Sequence, residues 1–72
     1  MRTIQHNGKT YDVDTGKEVS KFNIVSTIGS FTYHNDNTNS NQIGSFSYHS
    51  DGASSNIICN FIYTDGKSVY IG

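Results

Sequence analysis

The sequence predicts an all-β fold: a small, strongly twisted antiparallel meander of five to six strands, coiled into a barrel or a two-layer sandwich. Three observations predict it. The chain has no Leu, Pro or Trp and a single Ala, while Ile, Val, Thr, Tyr, Phe, Ser, Asn and Gly fill it. Strand formers abound and the best helix formers are nearly absent. A 15-residue phrase occurs three times, as Ile28-Gly29-Ser30-Phe31-Thr32-Tyr33-His34, as Ile43-Gly44-Ser45-Phe46-Ser47-Tyr48-His49, and more loosely as Ile58-Cys59-Asn60-Phe61-Ile62-Tyr63-Thr64. Each copy contains Phe-x-Tyr, the two-residue period of a strand, and each is followed by a turn dipeptide: Asp36-Asn37, Asp51-Gly52 or Asp65-Gly66.

In chain order, residues 2–6 alternate weakly and meet Asn7-Gly8, a strong signal for a two-residue hairpin turn. The strand returns over residues 9–13, setting Ile4 beside Tyr11. Asp14-Thr15-Gly16 suits a three-residue hairpin with Gly16 in the left-handed conformation. A third strand starts at Lys17 and would run to His34, too long for one regular strand, so a bend is expected near Lys21-Phe22 or at Gly29-Ser30. The Asp dipeptides tolerate the positive φ of type I′ turns, so each repeat reads as one long strand and one tight turn. Residues 67–71 close the sheet. The whole of 1–72 reads as a single domain, with the N-terminal hairpin and third strand over 1–27, the repeat region over 28–64 and the closing strand over 65–72.

Turns at those dipeptides set a register in which Phe31 lies beside Gln42, Phe61 and Tyr70 in turn, and Tyr33 beside Ser40 and Tyr63. Phe31, Tyr33, Phe46, Tyr48, Phe61, Tyr63 and Tyr70 then share one face with Val25, Ile57 and Cys59, and a one-residue slip would scatter them. Ile24, Ile28, Ile43, Ile58 and Ile62 fall on the other face among Ser, Thr and Asn, a mixture that suits a half-wetted surface. The aromatic face is the expected core. Gly29 pairs with Gly44 in this register, and Cys59 and Gly72 extend the row. Small residues between aromatic rows make either a bend that lets the sheet coil or a trough that accepts a partner's side chain.

Seventy-two residues are close to the size at which one core is only marginally sufficient. With no helix to cover it, the apolar face must be closed by coiling or by a second copy of the chain, and open sheet edges invite pairing; a homo-oligomer is expected. The formal net charge of −1 and the 15 % of charged residues argue against nucleic acid and acidic membranes as partners. No stretch has the length of a membrane-spanning helix, and the first residues lack the apolar run of a signal peptide. Cys59 is the only cysteine, which excludes an internal disulfide and fits a buried small side chain in a cytoplasmic protein.

Chemistry finds little footing. His34-x-Asp36 and His49-x-Asp51 repeat, but in the meander they lie about 30 Å apart, at ~3.4 Å per residue, as exposed residues flanking turns. Only a 15-residue β-solenoid coil would stack them, and the turn dipeptides favour hairpins instead. The lone cysteine has no basic neighbour, the Asp residues sit in turns, and no phosphate loop, nucleophile elbow or zinc spacing occurs. No enzyme, cofactor or metal is therefore expected. The Phe-x-Tyr pairs could stack bases but lack basic companions for phosphates. The expected function is a non-enzymatic protein-binding protein that self-associates, a size and class shared with phage- or mobile-element-encoded inhibitors of host proteins. The alternative is a module for a carbohydrate, nucleotide or single-stranded nucleic acid. Phe31, Tyr33, Phe46, Tyr48, Phe61, Tyr63 and Tyr70 are the candidate anchors of either a core or an interface, with Gly29 and Gly44 as the trough in which the alternative module would work.

Overall fold

Asn7 and Gly8, both at positive φ (52° and 77°), reverse the chain between β1 (Thr3–His6) and β2 (Lys9–Asp12). The computed structural model describes residues 1–19 and 24–71, so the bend expected at Lys21-Phe22 lies outside the described residues. Ile4 lies opposite Tyr11, as expected. Gly16, at φ 74°, donates its N–H to the Asp12 carbonyl at 2.8 Å, and the Asp12 N–H is donated to Lys17 O at 2.9 Å. The left-handed glycine thus turns the chain back beside β2, where Tyr11 bridges to Glu18.

From Ile24 onward the chain is an antiparallel seven-stranded meander in sequence order. Its strands are β3 (Ile24–Ile28), β4 (Phe31–His34), β5 (Asn39–Ile43), β6 (Phe46–His49), β7 (Ser54–Ile58), β8 (Phe61–Thr64) and β9 (Lys67–Tyr70). The fold is all-β and antiparallel, but the described residues form nine strands rather than five or six. The difference lies in the repeat. Gly29-Ser30, Gly44-Ser45 and Cys59-Asn60 are themselves hairpin turns, with positive φ at the first residue only (60°, 59° and 55°), the type II′ pattern. One repeat is therefore two short strands and two turns.

The Asp turns between β4 and β5 and between β6 and β7 are longer than a two-residue hairpin. Asp36 accepts the Thr38 N–H at 3.2 Å and Asp51 the Ala53 N–H at 3.0 Å, so each carboxylate organises a loop over its own backbone. The register shifts accordingly: Phe31 faces Asn41 rather than Gln42, Tyr33 faces Asn39 rather than Ser40, and Phe46 faces Asn56. Asp65-Gly66, with both residues at positive φ (47° and 81°), is the tight turn that the sequence implies, and Phe61 faces Tyr70 as expected.

The β1–β2 hairpin packs across one face of the meander. Ile4 and Val13 meet Ile57, Ile62 and Ile71 there, with Tyr11 packed alongside. Ile57 and Ile62 thus lie on the same inner face, as cross-strand partners, and not on opposite faces. Around this small apolar centre the contact between layers is polar. Thr3 Oγ1 and His34 Nε2 lie 2.8 Å apart, Ser47 Oγ donates to Thr3 O at 2.7 Å, and the Gln5 N–H is donated to Gln42 Oε1 at 3.1 Å. The hairpin occupies the face whose Ser, Thr, His and Gln side chains can satisfy its polar groups. That choice overturns the expectation of an aromatic core, because the aromatic face is the one turned to solvent.

The histidines, too, are buried rather than exposed beside turns. His34 is 3 % exposed and His49 6 %, both on the inner face. His49 reaches Ser40 Oγ through Nδ1 and Ser55 Oγ through Nε2, each at 2.8 Å, and Ser55 continues to Thr64 Oγ1 at 2.6 Å. The Thr3 N–H is donated to Ser40 Oγ at 3.4 Å, so Thr3 and Ser40 connect the two rings that the sequence reading set about 30 Å apart. The extra turns fold the separating length back on itself.

Candidate interaction face

A turn of two residues places the residues on either side of it directly opposite each other, so Ile28 faces Phe31, Ile43 faces Phe46 and Ile58 faces Phe61. These isoleucines therefore join the aromatics instead of opposing them. Following the pairs across the strands gives the row Ile28, Phe31, Asn41, Tyr48, Ser54 and the row Ile43, Phe46, Asn56, Tyr63, Ser68. The two rows have the same composition in the same order. A third row, Ile58, Phe61 and Tyr70, follows the same start.

Along the strands the same residues form ridges. Phe31 and Tyr33 stack on β4 with ring centroids 6.1 Å apart and Phe46 and Tyr48 on β6 at 6.4 Å, while Phe61 and Tyr63 on β8 lie tilted to each other at 6.4 Å. Tyr70 meets Phe61 edge-on at 5.3 Å. Between the ridges run β5, with Asn39 and Asn41, and β7, with Ser54 and Asn56. Ser30 Oγ donates to Asn41 Oδ1 at 2.6 Å and Ser45 Oγ to Asn56 Oδ1 at 3.0 Å, so the serine of each Gly-Ser turn fixes the amide in the neighbouring furrow. The furrow over β7 is a depression of about 400 Å³ lined by Phe46, Ser54, Asn56, Tyr63 and Ser68, together with Asp65 and Lys67 beside the turn between β8 and β9.

The seven aromatics that the sequence reading singled out thus lie on one face, 37 % (Tyr33) to 59 % (Tyr70) exposed. Gly29 and Gly44 do not pair with each other and line no trough; they occupy turns, where an added Cβ would meet no atom within 4 Å. Cys59 is exposed at the third such turn rather than buried. Ile28, Ile43, Ile58, Asn41 and Asn56 were missed. The Gly-Ser dipeptide between Ile and Phe was the available signal, since Gly at the first central position suits a type II′ turn.

The face carries no charged side chain in its rows. At the loops the Met1 ammonium pairs with Asp36 and Arg2 Nε with Asp51 Oδ2 at 2.7 Å. The ammonium and the Thr38 hydroxyl hold the Asp36 carboxyl well below the usual carboxylate range. The Ala53 N–H and Arg2 lower that of Asp51. Burial lowers the pKa of both His34 and His49. Among the described residues no three His, Cys, Asp or Glu side chains gather to hold a metal, and no helix is long and apolar enough to cross a membrane. The chain matches no protein-family model, no curated protein and no solved structure, so the reading of this face rests on its own geometry.

Proposed function

We propose that the chain is a non-enzymatic interaction protein that binds protein partners through the ridged aromatic face. The observation that carries this reading is the placement of Phe31, Tyr33, Phe46, Tyr48, Phe61, Tyr63 and Tyr70 on a bare face while a hairpin covers the other. Monomeric surfaces rarely leave so large an apolar patch open, and aromatic residues are enriched where proteins meet. The test compares the wild-type chain with Phe46→Lys/Tyr48→Lys as baits in a binding assay, after circular dichroism has shown the same fold. Partners retained by the wild type should be lost from the variant. Equal retention by both would remove the face from the function.

One observation favours a second reading, a site for a small polar ligand such as a carbohydrate. Asn41 and Asn56, each held by a turn serine, present amides between aromatic side chains that could stack on a sugar ring. Titrating neutral oligosaccharides while following tyrosine fluorescence tests it; saturation abolished by Asn56→Ala supports the site, and an unchanged signal removes it.

A further inference from the structure

We infer that the occupant of the aromatic face is a second copy of this chain, packed face to face so that the pair closes a β-sandwich neither chain completes alone. This rests on the reading of the face as an interaction surface and names its partner. The relief of the face argues for it. The aromatic ridges on β4, β6 and β8 alternate with β5 and β7, where Asn39, Asn41, Ser54 and Asn56 leave furrows that end at Ile43 and Ile58, so ridge follows ridge every two strands, ~9.6 Å. A surface with equally spaced ridges and furrows is its own complement after a shift of one strand. A two-fold axis running along the strands between β6 and β7 makes that shift. It lays the Phe46–Tyr48 ridge of one copy in the β7 furrow of the other, over Ser54 and Asn56, and the reverse contact follows by symmetry.

Area and charge point the same way. At ~200 Å² per aromatic side chain, the exposed parts of the seven rings amount to on the order of 600 Å². Ile28, Ile43 and Ile58, all more than half exposed, bring the face to about the ~800 Å² that each partner of a standard interface buries. The rows themselves carry no charge, the nearest being Asp65 and Lys67 beside the β7 furrow, and the most apolar interfaces are those between identical subunits. The chain also needs the cover. Its own buried apolar core, among the described residues, is Ile4, Val13, Ile57, Ile62 and Ile71, small for a domain of 72 residues.

Sedimentation velocity on the purified chain, from micromolar to millimolar concentration, tests the inference, together with Tyr48→Lys and Asn56→Lys as separate variants. The first puts a charge on a ridge and the second fills a furrow. The wild type should sediment at twice the 8.0 kDa chain mass. Each variant should keep its strand signal by circular dichroism and dimerise at least ~100-fold more weakly. A wild type that is monomeric throughout overturns the inference whether or not the variants fold. A dimer that persists unchanged in both variants overturns it as well, since pairing would then run along a sheet edge. A monomeric wild type that still loses its foreign partners on Phe46→Lys/Tyr48→Lys overturns the pairing alone and leaves the interaction reading standing.

Discussion

Cys59 stands at φ 55° in a turn whose two counterparts use Gly29 and Gly44 at nearly the same angle. A side chain there costs about 1–2 kcal/mol, partly offset by the ~0.5–1 kcal/mol of extra chain entropy that glycine loses on folding. Cys59→Gly is therefore expected to stabilise the fold by up to ~1 kcal/mol, or several degrees in Tm. Thermal unfolding followed by circular dichroism checks it, and an unchanged or lower Tm would mean that the cysteine has compensating contacts. The glycines divide by a similar comparison. Gly44 and Gly16 both need positive φ, but an added Cβ meets open space at Gly44 and collides with Tyr70 O and Val69 Cγ1 at Gly16. Gly44→Ala should cost ~1 kcal/mol, the conformational part alone. Gly16→Ala should cost at least twice that, because the loop after β2 must lift away from β9. Chemical denaturation of the two variants side by side reads the difference.

Among the elements, the layer contact between β1 and the meander carries a pH dependence. Burial lowers the pKa of His34 and His49 in the folded chain, while in the unfolded chain they titrate near ~6.5. The native state thus favours the neutral rings. Their contribution is complete above ~6.5 and is lost as pH falls below that value, because the unfolded chain takes up protons first. The depressed pKa values of Asp36 and Asp51 add a second loss below ~4. Denaturant midpoints should therefore fall between pH 7.5 and 5, and His34→Gln/His49→Gln should flatten that part of the profile. A slope that survives in the double variant would assign it elsewhere. These elements were only partly legible in the sequence. Phe-x-Tyr gave strands and Asn7-Gly8 and Asp65-Gly66 gave their turns, because each is a local signal that nothing nearby contradicts. Asp36-Asn37 and Asp51-Gly52 looked like the same signal, yet their carboxylates accept backbone N–H groups two residues on and build wider loops. Gly29-Ser30 and Gly44-Ser45 looked like a bend and are full reversals. Those two substitutions moved the isoleucines across the sheet and brought the histidines together. Which face the hairpin would cover depended on hydrogen bonds between distant segments, such as Thr3 with His34 and Ser47, which no local pattern announces.

At the scale of the molecule, a hairpin and a meander share one small core, so neither has much to stand on without the other. Ile4 is 1 % exposed and sits at the centre of that contact. Ile4→Ala should cost about 2–5 kcal/mol, a large fraction of the stability of so small a domain. Backbone and tyrosine signals should then be lost in a single transition. Separate transitions would mean that the meander stands alone. Strand alternation adds one last consequence. Within β4, β6 and β8 the inward residues, among them Thr32, Ser47 and Ile62, hold the chain together. Their outward neighbours Phe31, Tyr48 and Tyr63 take no part in that contact. The two duties are written in alternate letters of the same few words. Evolution or design can therefore respell what the surface recognises, one outward letter at a time, while the inward letters stay as they are.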